Sequence, residues 1–185
     1  MALLLMAASE CAGAGVQWWN YSGTAGANSD GASTMISVGE QAPDFSLEDE
    51  NGNSVKLADF RGASSVVLMF YPADNTPGCT KQLCSARDDY DKYTAAGVKV
   101  FGVNPGSASK HKSFSEKHGF KTPLLLDNGG KVSRAYDALM PIPIVTLVNR
   151  TVVGIDRGGV VRFYERGMPS TSTILGAMGA APVEA

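Results

Sequence analysis

The sequence predicts one folded domain of the α/β class, with a central sheet flanked by helices. Short apolar runs that predict strands alternate with segments of helical period over most of the chain. The 185 residues, 44% of them hydrophobic and 18% charged, are enough for one domain with a sizeable core. We assign this domain to residues 35–185. Residues 1–34 are rich in Ala, Gly and Ser and contain no Lys or Arg, and we interpret them as a low-complexity extension, a targeting segment or a cloning remnant.

The fold is arranged around the stretch SVVLMFYPADNTPGCTKQLC. Val66 to Tyr71 form an uninterrupted apolar run, which predicts a strand buried on both faces. Pro72 ends this strand, and Thr76 is a suitable N-cap for a helix from Pro77 to about Ala96. Cys79 then lies in the first helical turn, where free N–H groups and the positive end of the helix dipole favour the thiolate form of a cysteine.

The remaining segments complete an α/β arrangement that opens and closes with a hairpin. Asn51-Gly52 predicts a turn, Gly97 and Gly119 predict helix ends, and Pro141 and Pro143 interrupt a later apolar run. In chain order we predict strands at 42–47 and 54–57, a bend at 59–62, a strand at 98–103, a helix at 109–118, a strand at 124–126, a short helix at 131–136, a loop or irregular strand at 142–148, a hairpin of 151–155 with 160–164, and a weak helix at 172–178.

The number of cysteines and the net charge make several classes of function improbable for this chain. Cys11, Cys79 and Cys84 are an odd number and too few for a disulfide-stapled scaffold, so redox or nucleophilic use is favoured. The net charge of −2 gives no reason to expect nucleic-acid binding, and no apolar run is long enough to span a membrane. Metal binding is not expected, because Cys-x4-Cys is not a zinc spacing. The two histidines, His111 and His118, are predicted at the surface of one helix.

The residues from Pro72 to Cys79, PADNTPGC, resemble the P-x-x-x-T-x-x-C active-site loop of peroxiredoxins. The continuation CTKQLCSARD is similar to the bacterioferritin-comigratory, or peroxiredoxin Q, branch, in which a second cysteine follows five residues after the first. The resemblance extends from about Ser37 to Met178. It implies a thioredoxin-like fold with a central mixed sheet, flanking helices and an N-terminal hairpin. It also implies a thiol-dependent peroxidase that needs no cofactor.

The same resemblance assigns roles to individual residues. Cys79 would be the peroxidatic nucleophile, with a small buried core cysteine as the structural alternative. The Thr76 hydroxyl would bond the incoming peroxide, unless it caps the helix instead. Arg150 would stabilise the thiolate and polarise the peroxide, unless it is an ordinary surface arginine at a strand start. The loop before it, residues 139–149, departs from the family's usual spacing and glycine content. Arg87 also matches a family position but could simply pair with Asp91 one turn later.

Cys84 matches the family's resolving cysteine, which would form a disulfide with Cys79. Residues five apart in an intact helix are separated by about 7.5 Å along the axis and ~140° around it. A disulfide needs Cα atoms roughly 4.4–6.8 Å apart. We therefore expect the helix between the two cysteines to unwind in each cycle. Alternatively, Cys84 is a core residue and an external thiol resolves the intermediate. The resemblance also assigns Tyr71, Pro72 and Gln82 to the substrate pocket.

The expected activity is reduction of hydrogen peroxide and organic hydroperoxides, with recycling by thioredoxin or a similar dithiol protein. An intramolecular resolving cysteine favours a monomer. A reducing compartment, either the cytoplasm or a plastid, is the expected location. A thiol–disulfide oxidoreductase would need C-x-x-C, which the chain lacks. The alternative outside enzymes is a redox-sensing or holdase-type interaction protein using the same cysteine. Steady-state turnover with a dithiol donor separates the two, because a sensor reacts once and stalls.

Overall fold

The computed structural model describes residues 36–141 and 146–179. The interpretation of residues 1–34, and most of the predicted irregular segment at 142–148, therefore concern residues outside this description. No helix in the described ranges is long and apolar enough to cross a membrane. The strands are β1 Ser46–Glu48, β2 Ser54–Lys56, β3 Ser65–Phe70, β4 Val98–Asn104, β5 Leu124–Leu126, β6 Thr151–Ile155 and β7 Val161–Arg166. The helices are α1 Pro77–Asp88, α2 Tyr90–Ala95, α3 Ala108–His118, α4 Lys131–Ala135 and α5 Thr171–Ala177.

Five strands form a mixed sheet in the order β5-β4-β3-β6-β7, which confirms the predicted mixed sheet with flanking helices. The middle strand, β3, is parallel to β4 and antiparallel to β6. Because β6 runs antiparallel to β3, its first residue, Thr151, lies opposite Phe70, the last residue of β3. The residue that precedes β6 and the loop that follows β3 therefore meet at one end of the sheet.

Strand β3 is central because both of its faces are apolar. Val66, Leu68 and Phe70 belong to one core cluster, and Val67 and Met69 to a second. All five residues are buried, as the uninterrupted apolar run predicts. The helix that follows β3 thus starts from a strand held on both sides.

The N-terminal hairpin is present but shorter than predicted. Strands β1 and β2 pair antiparallel, with Ser46 opposite Lys56. The predicted first strand begins at residue 42, but the N–H of Ala42 bonds to Gly159 O instead, at 2.9 Å. That part of the chain is drawn toward the start of β7. Only the last residues before the turn remain free to pair with β2.

The predicted helix from Pro77 to Ala96 is wrong in one respect, because it consists of two helices. Asp89 leaves helical geometry, with φ −95° and ψ 12°, and separates α1 from α2. Its carboxylate lies 2.8 Å from Lys92 Nζ, one turn into α2. Aspartate is a weak former of helix interiors, which is consistent with the interruption, although the Asp89 side chain makes no capping bond to α2. As predicted, Gly97 follows α2 in the left-handed conformation, at φ 69°.

Candidate active site

Cys79 lies in the first turn of α1, as the sequence predicts. Pro77 is the first helical residue, and Thr76 precedes it in an extended conformation, with φ −86° and ψ 145°. The Cys79 side chain is fully buried. It belongs to a small apolar cluster that also contains Tyr71, Leu83, Phe114 and Leu124. The thiol is therefore shielded by packing and lies next to the free N–H groups of the helix start.

Arg150 reaches this thiol from the start of β6. Its Nη2 is 3.3 Å from Cys79 Sγ. Its Nη1 donates to Gly78 O at 3.1 Å and to Gln82 Oε1 at 2.5 Å. Three acceptors on α1 thus contact one guanidinium. The single ammonium group of a lysine could not bond to all three in this geometry. Arg150 is accordingly not an ordinary surface arginine.

The loop before Arg150 does not displace it, although the loop departs from the family's spacing. The two ends of the loop bond to each other, Met140 N to Leu147 O at 2.8 Å and Asn149 N to Ala138 O at 2.6 Å. These bonds bring the chain back to the sheet immediately before β6. The position of Arg150 therefore depends on the ends of the loop.

Thr76 had two possible tasks, and the structure shows that its side chain does not cap α1. Its Oγ1 donates to Ala73 O at 3.2 Å, within the same loop. The intervening Asn75 has φ 58°, in the left-handed region, which asparagine tolerates better than most residues. The hydroxyl is therefore held by a tight loop immediately before the helix that carries Cys79. Its role toward a peroxide remains a prediction.

The three residues predicted to line the substrate pocket occupy different environments. Gln82 is buried and accepts from Arg150, so it orients the guanidinium. Pro72 begins the loop and lines an open cavity of about 600 Å³. Tyr71 is fully buried and donates its hydroxyl to Asp74 Oδ1 at 2.9 Å. Burial, together with the neighbouring carboxylate of Asp74, raises the pKa of Tyr71 well above its usual value, so the hydroxyl remains a donor.

Cys84 also lies on α1, and it is not brought into contact with Cys79. Both are free thiols, the first buried and the second partly exposed. They are five residues apart in a continuous helix, so they point in directions about 140° apart. A disulfide between them requires a different backbone conformation from the one seen here.

His111 is buried, and its predicted place at the surface is wrong. We predicted both histidines at the surface, but His111 is fully buried whereas His118 is half-buried. Its Nε2 lies 3.4 Å from Asn104 Oδ1 and 3.6 Å from Asp74 Oδ2. Burial lowers the pKa of His111, and the carboxylate of Asp74 partly opposes this. The apolar Phe114, three residues later, is the signal that this helix face turns inward.

Arg87 does not form the predicted pair with Asp91. Its Nη2 and Nε bond to Asp88 Oδ1 at 2.7 and 2.9 Å. Its Nη1 donates to His118 O, the main-chain carbonyl of the last residue of α3, at 2.6 Å. Asp91 instead faces Lys121, at 3.9 Å. Arg87 therefore links the C-terminal turn of α1 to the end of α3.

Comparison with known proteins identifies the family of this chain. A model of the AhpC/TSA family matches residues 38–164. The chain is 42% identical over 128 residues to the chloroplastic peroxiredoxin Q of Triticum aestivum, and the alignment covers 69% of this chain and 58% of the wheat protein. It is 40% identical over 127 residues to the chloroplastic peroxiredoxin Q of Sedum lineare, covering 69% of this chain and 67% of that protein. The chain thus spans little more than half of the wheat relative's length.

Solved structures show the same architecture. Peroxidoxin BcpB from Mycobacterium tuberculosis matches with a TM-score of 0.74 at 28% identity, over 80% of this chain and 99% of that one. The bacterioferritin comigratory protein of Xanthomonas campestris, whose structures are described in connection with alkyl peroxide reduction, matches with a TM-score of 0.65 at 26% identity. That match covers 74% of this chain and 88% of the other. The mixed sheet with its flanking helices is therefore a thioredoxin-like fold.

Proposed function

Since this chain belongs to the AhpC/TSA family, in its bacterioferritin-comigratory or peroxiredoxin Q branch, we propose that it is a thiol-dependent peroxidase acting on hydrogen peroxide and organic hydroperoxides. The observation that supports this best is the contact of 3.3 Å between Arg150 Nη2 and Cys79 Sγ. A guanidinium stays charged at any working pH and offers several donors in fixed directions. It can therefore donate both to the sulfur of Cys79 and to a bound peroxide.

The first step is a displacement at oxygen. The Cys79 thiolate attacks the terminal oxygen of the hydroperoxide, and the S–O bond forms as the O–O bond breaks. The leaving oxygen takes up a proton and departs as an alcohol, or as water when the substrate is hydrogen peroxide. Donors from Arg150, Thr76 and the Cys79 N–H would stabilise the charge that passes between the two oxygens. The product is a sulfenic acid at Cys79.

The second step joins Cys79 to Cys84. The Cys84 thiol attacks the sulfenic sulfur, the S–S bond forms, and the hydroxyl group leaves as water. The two residues lie on one continuous helix, so α1 has to unwind between them. The interruption at Asp89 allows α1 to unwind while α2 keeps its structure.

Recycling requires two electrons from outside the chain. Thioredoxin or a similar dithiol protein would supply them by thiol–disulfide exchange, and no step calls for a cofactor. Resolution within one chain needs no second subunit, so the proposed state is a monomer. The chemistry requires a reducing compartment. Because the plant relatives are named as chloroplastic, a plastid is one option and the cytoplasm another.

The proposal is tested by peroxide consumption with a thioredoxin system, for the wild type, Cys79→Ser and Cys84→Ser. We expect Cys79→Ser to be inactive and Cys84→Ser to complete one turnover and then stall. Full activity in Cys79→Ser would refute the proposal. Continued cycling by Cys84→Ser would assign resolution to an external thiol. A wild-type protein that reacts once and stalls would instead indicate a redox sensor or a holdase-type protein.

A further inference from the structure

Helix α3 contacts the active-site segment at two places, one on each side of the two cysteines. On the N-terminal side, Asp74 Oδ2 lies 3.6 Å from His111 Nε2. On the C-terminal side, Arg87 Nη1 donates to His118 O at 2.6 Å. The two contact points on α3 are about 10 Å apart along its axis. One helix therefore contacts both ends of the segment that has to unwind.

The His111 ring has a defined orientation because Asn104 is fixed. Asn104 Nδ2 donates to Tyr71 O and its Oδ1 accepts from Gly106 N, both at 2.7 Å, so the oxygen faces His111. Asn104 Oδ1 and the Asp74 carboxylate are both acceptors near the same ring nitrogen, which favours the tautomer with the proton on Nε2. A Cβ at Gly106 would lie 2.6 Å from Nε2, so the close approach requires glycine.

Asp74 is held from two sides although it lies in a loop. Its carboxylate faces His111 and accepts from the Tyr71 hydroxyl at 2.9 Å, and its side chain is only 8% exposed. The next residue, Asn75, has φ 58°, in the left-handed region that asparagine adopts more readily than most residues, so the chain turns sharply immediately after Asp74. The contacts of Asp74 therefore hold the short connection that leads through Thr76 into α1.

We propose that Asp74 and His111 are positioning residues, which hold the Cys79 loop in its peroxide-reactive conformation and set the N-terminal limit of the segment that unwinds. The inference rests on the proposed function and identifies what stays fixed during resolution. Arg87 sets the C-terminal limit in the same way, through the end of α3. The unwinding segment is then confined to residues 75–86.

Releasing the Asp74 contact has opposite effects on the two chemical steps. Attack on the peroxide slows, because the loop no longer holds Thr76 and Cys79 in fixed positions. Disulfide formation accelerates, because a larger fraction of the molecules has α1 unwound between Cys79 and Cys84. The loss of one net hydrogen bond shifts such an equilibrium about fivefold.

The test compares Asp74→Ala and Asp74→Asn with the matched control His118→Gln. Sulfenic acid formation is followed in the Cys84→Ser background by rapid mixing with hydrogen peroxide. Disulfide formation is followed in the chain with both cysteines by acid quench and mass spectrometry. We expect Asp74→Ala to slow the first step and to accelerate the second about fivefold. Asp74→Asn, which keeps an acceptor for Tyr71, has a smaller effect. His118→Gln changes neither step, because Arg87 bonds to the main-chain carbonyl of His118, which the substitution keeps.

Hydrogen exchange of the oxidised protein locates the limits directly. In the wild type, we expect loss of protection to be confined to residues 75–86, and in Asp74→Ala to extend to Tyr71, whose N–H donates to Val103 O at 3.2 Å. Unchanged rates in both Asp74 variants, or a slowing of both steps, would overturn the proposal. If Asp74→Ala does not fold, the same measurements are made on Asp74→Asn, which has the same shape as the wild-type side chain. Failure of the proposed function is recognised separately, because the parent protein would then form no disulfide.

Discussion

Replacing Gly78 by alanine tests how closely the guanidinium must approach the start of α1. The added Cβ would lie 2.9 Å from Arg150 Nη2, closer than real Cβ contacts occur. This nitrogen ends a flexible side chain, so it would retreat by about half an ångström and lose its alignment with Cys79 Sγ. A displacement of about 1 Å in an active site can cost about 100-fold in rate, so we expect about a tenfold slower reaction with peroxide. Stability does not fall, because alanine favours a helix over glycine by up to about 1 kcal/mol.

Gly176→Ala is the matched control for this experiment. Gly176 lies in α5, and apart from its own turn of helix no atom of residues 36–141 or 146–179 comes within 4 Å of the Cβ that the substitution adds. It should gain stability by up to about 1 kcal/mol with an unchanged peroxide rate. The assays are the second-order rate constant with hydrogen peroxide by stopped flow, and urea denaturation. A wild-type rate constant in Gly78→Ala would show that the position of Arg150 does not limit the reaction.

Arg150→Lys keeps the positive charge but loses the several donors that a guanidinium presents in fixed directions. We therefore expect about a 100-fold slower reaction with peroxide in the same stopped-flow assay. A decrease of less than about threefold would contradict the proposed role of Arg150 in this reaction. Ser170→Ala removes the side-chain cap of α5 and should lower the free energy of unfolding by about 1 kcal/mol in urea denaturation. Ser107→Ala is the control, because the Ser107 side chain makes no such bond at the N-cap of α3, and it should change the free energy of unfolding little. Equal losses in the two variants would refute the capping argument. Burial lowers the pKa of His111, so below about pH 6.5 the unfolded chain binds a proton at this residue more readily than the folded chain does. The free energy of unfolding therefore decreases as the pH is lowered below about 6.5. His111→Gln should lack this component when urea denaturation is compared at about pH 7.5 and 5.5, and an unchanged pH dependence would argue against it.

The centre of the site could be predicted from the sequence because its signals are local. The apolar run of β3, the stop at Pro72 and the Thr76-Pro77 helix start are all contained in one short stretch. They place Cys79 at a helix N-terminus without knowledge of any distant residue. The position of Arg150 could not be predicted from a local pattern. Only the antiparallel pairing of β6 with β3 brings Arg150 to the end of the sheet at which the Cys79 loop follows β3.

The contacts around Asp74 could not be predicted in the same way. They join a loop to a helix that follows more than thirty residues later in the chain. Phe114 marks the inward face of that helix, but nothing local shows which residues that face meets. The periodicity correctly put His111 and His118 on one helix, but burial depended on packing against Tyr71 and Phe114. The break at Asp89 was missed because neither glycine nor proline marks it.

Strand β7 has a consequence for how the folded chain avoids aggregation. It is the last strand on its side of the sheet in the described part of the chain, and only its first residue, Val161, is covered, by bonds to Gly39 and Glu40. The rest of an edge strand offers unpaired main-chain groups to a strand of another molecule. The exposed side chains along it are Arg162, Glu165 and Arg166. Arg162 is held by Asp156 at 2.6 Å, and Arg166 by Asp137 at 3.0 Å. A strand from another molecule would have to bury these charges in order to pair, so the edge discourages the growth of intermolecular sheets.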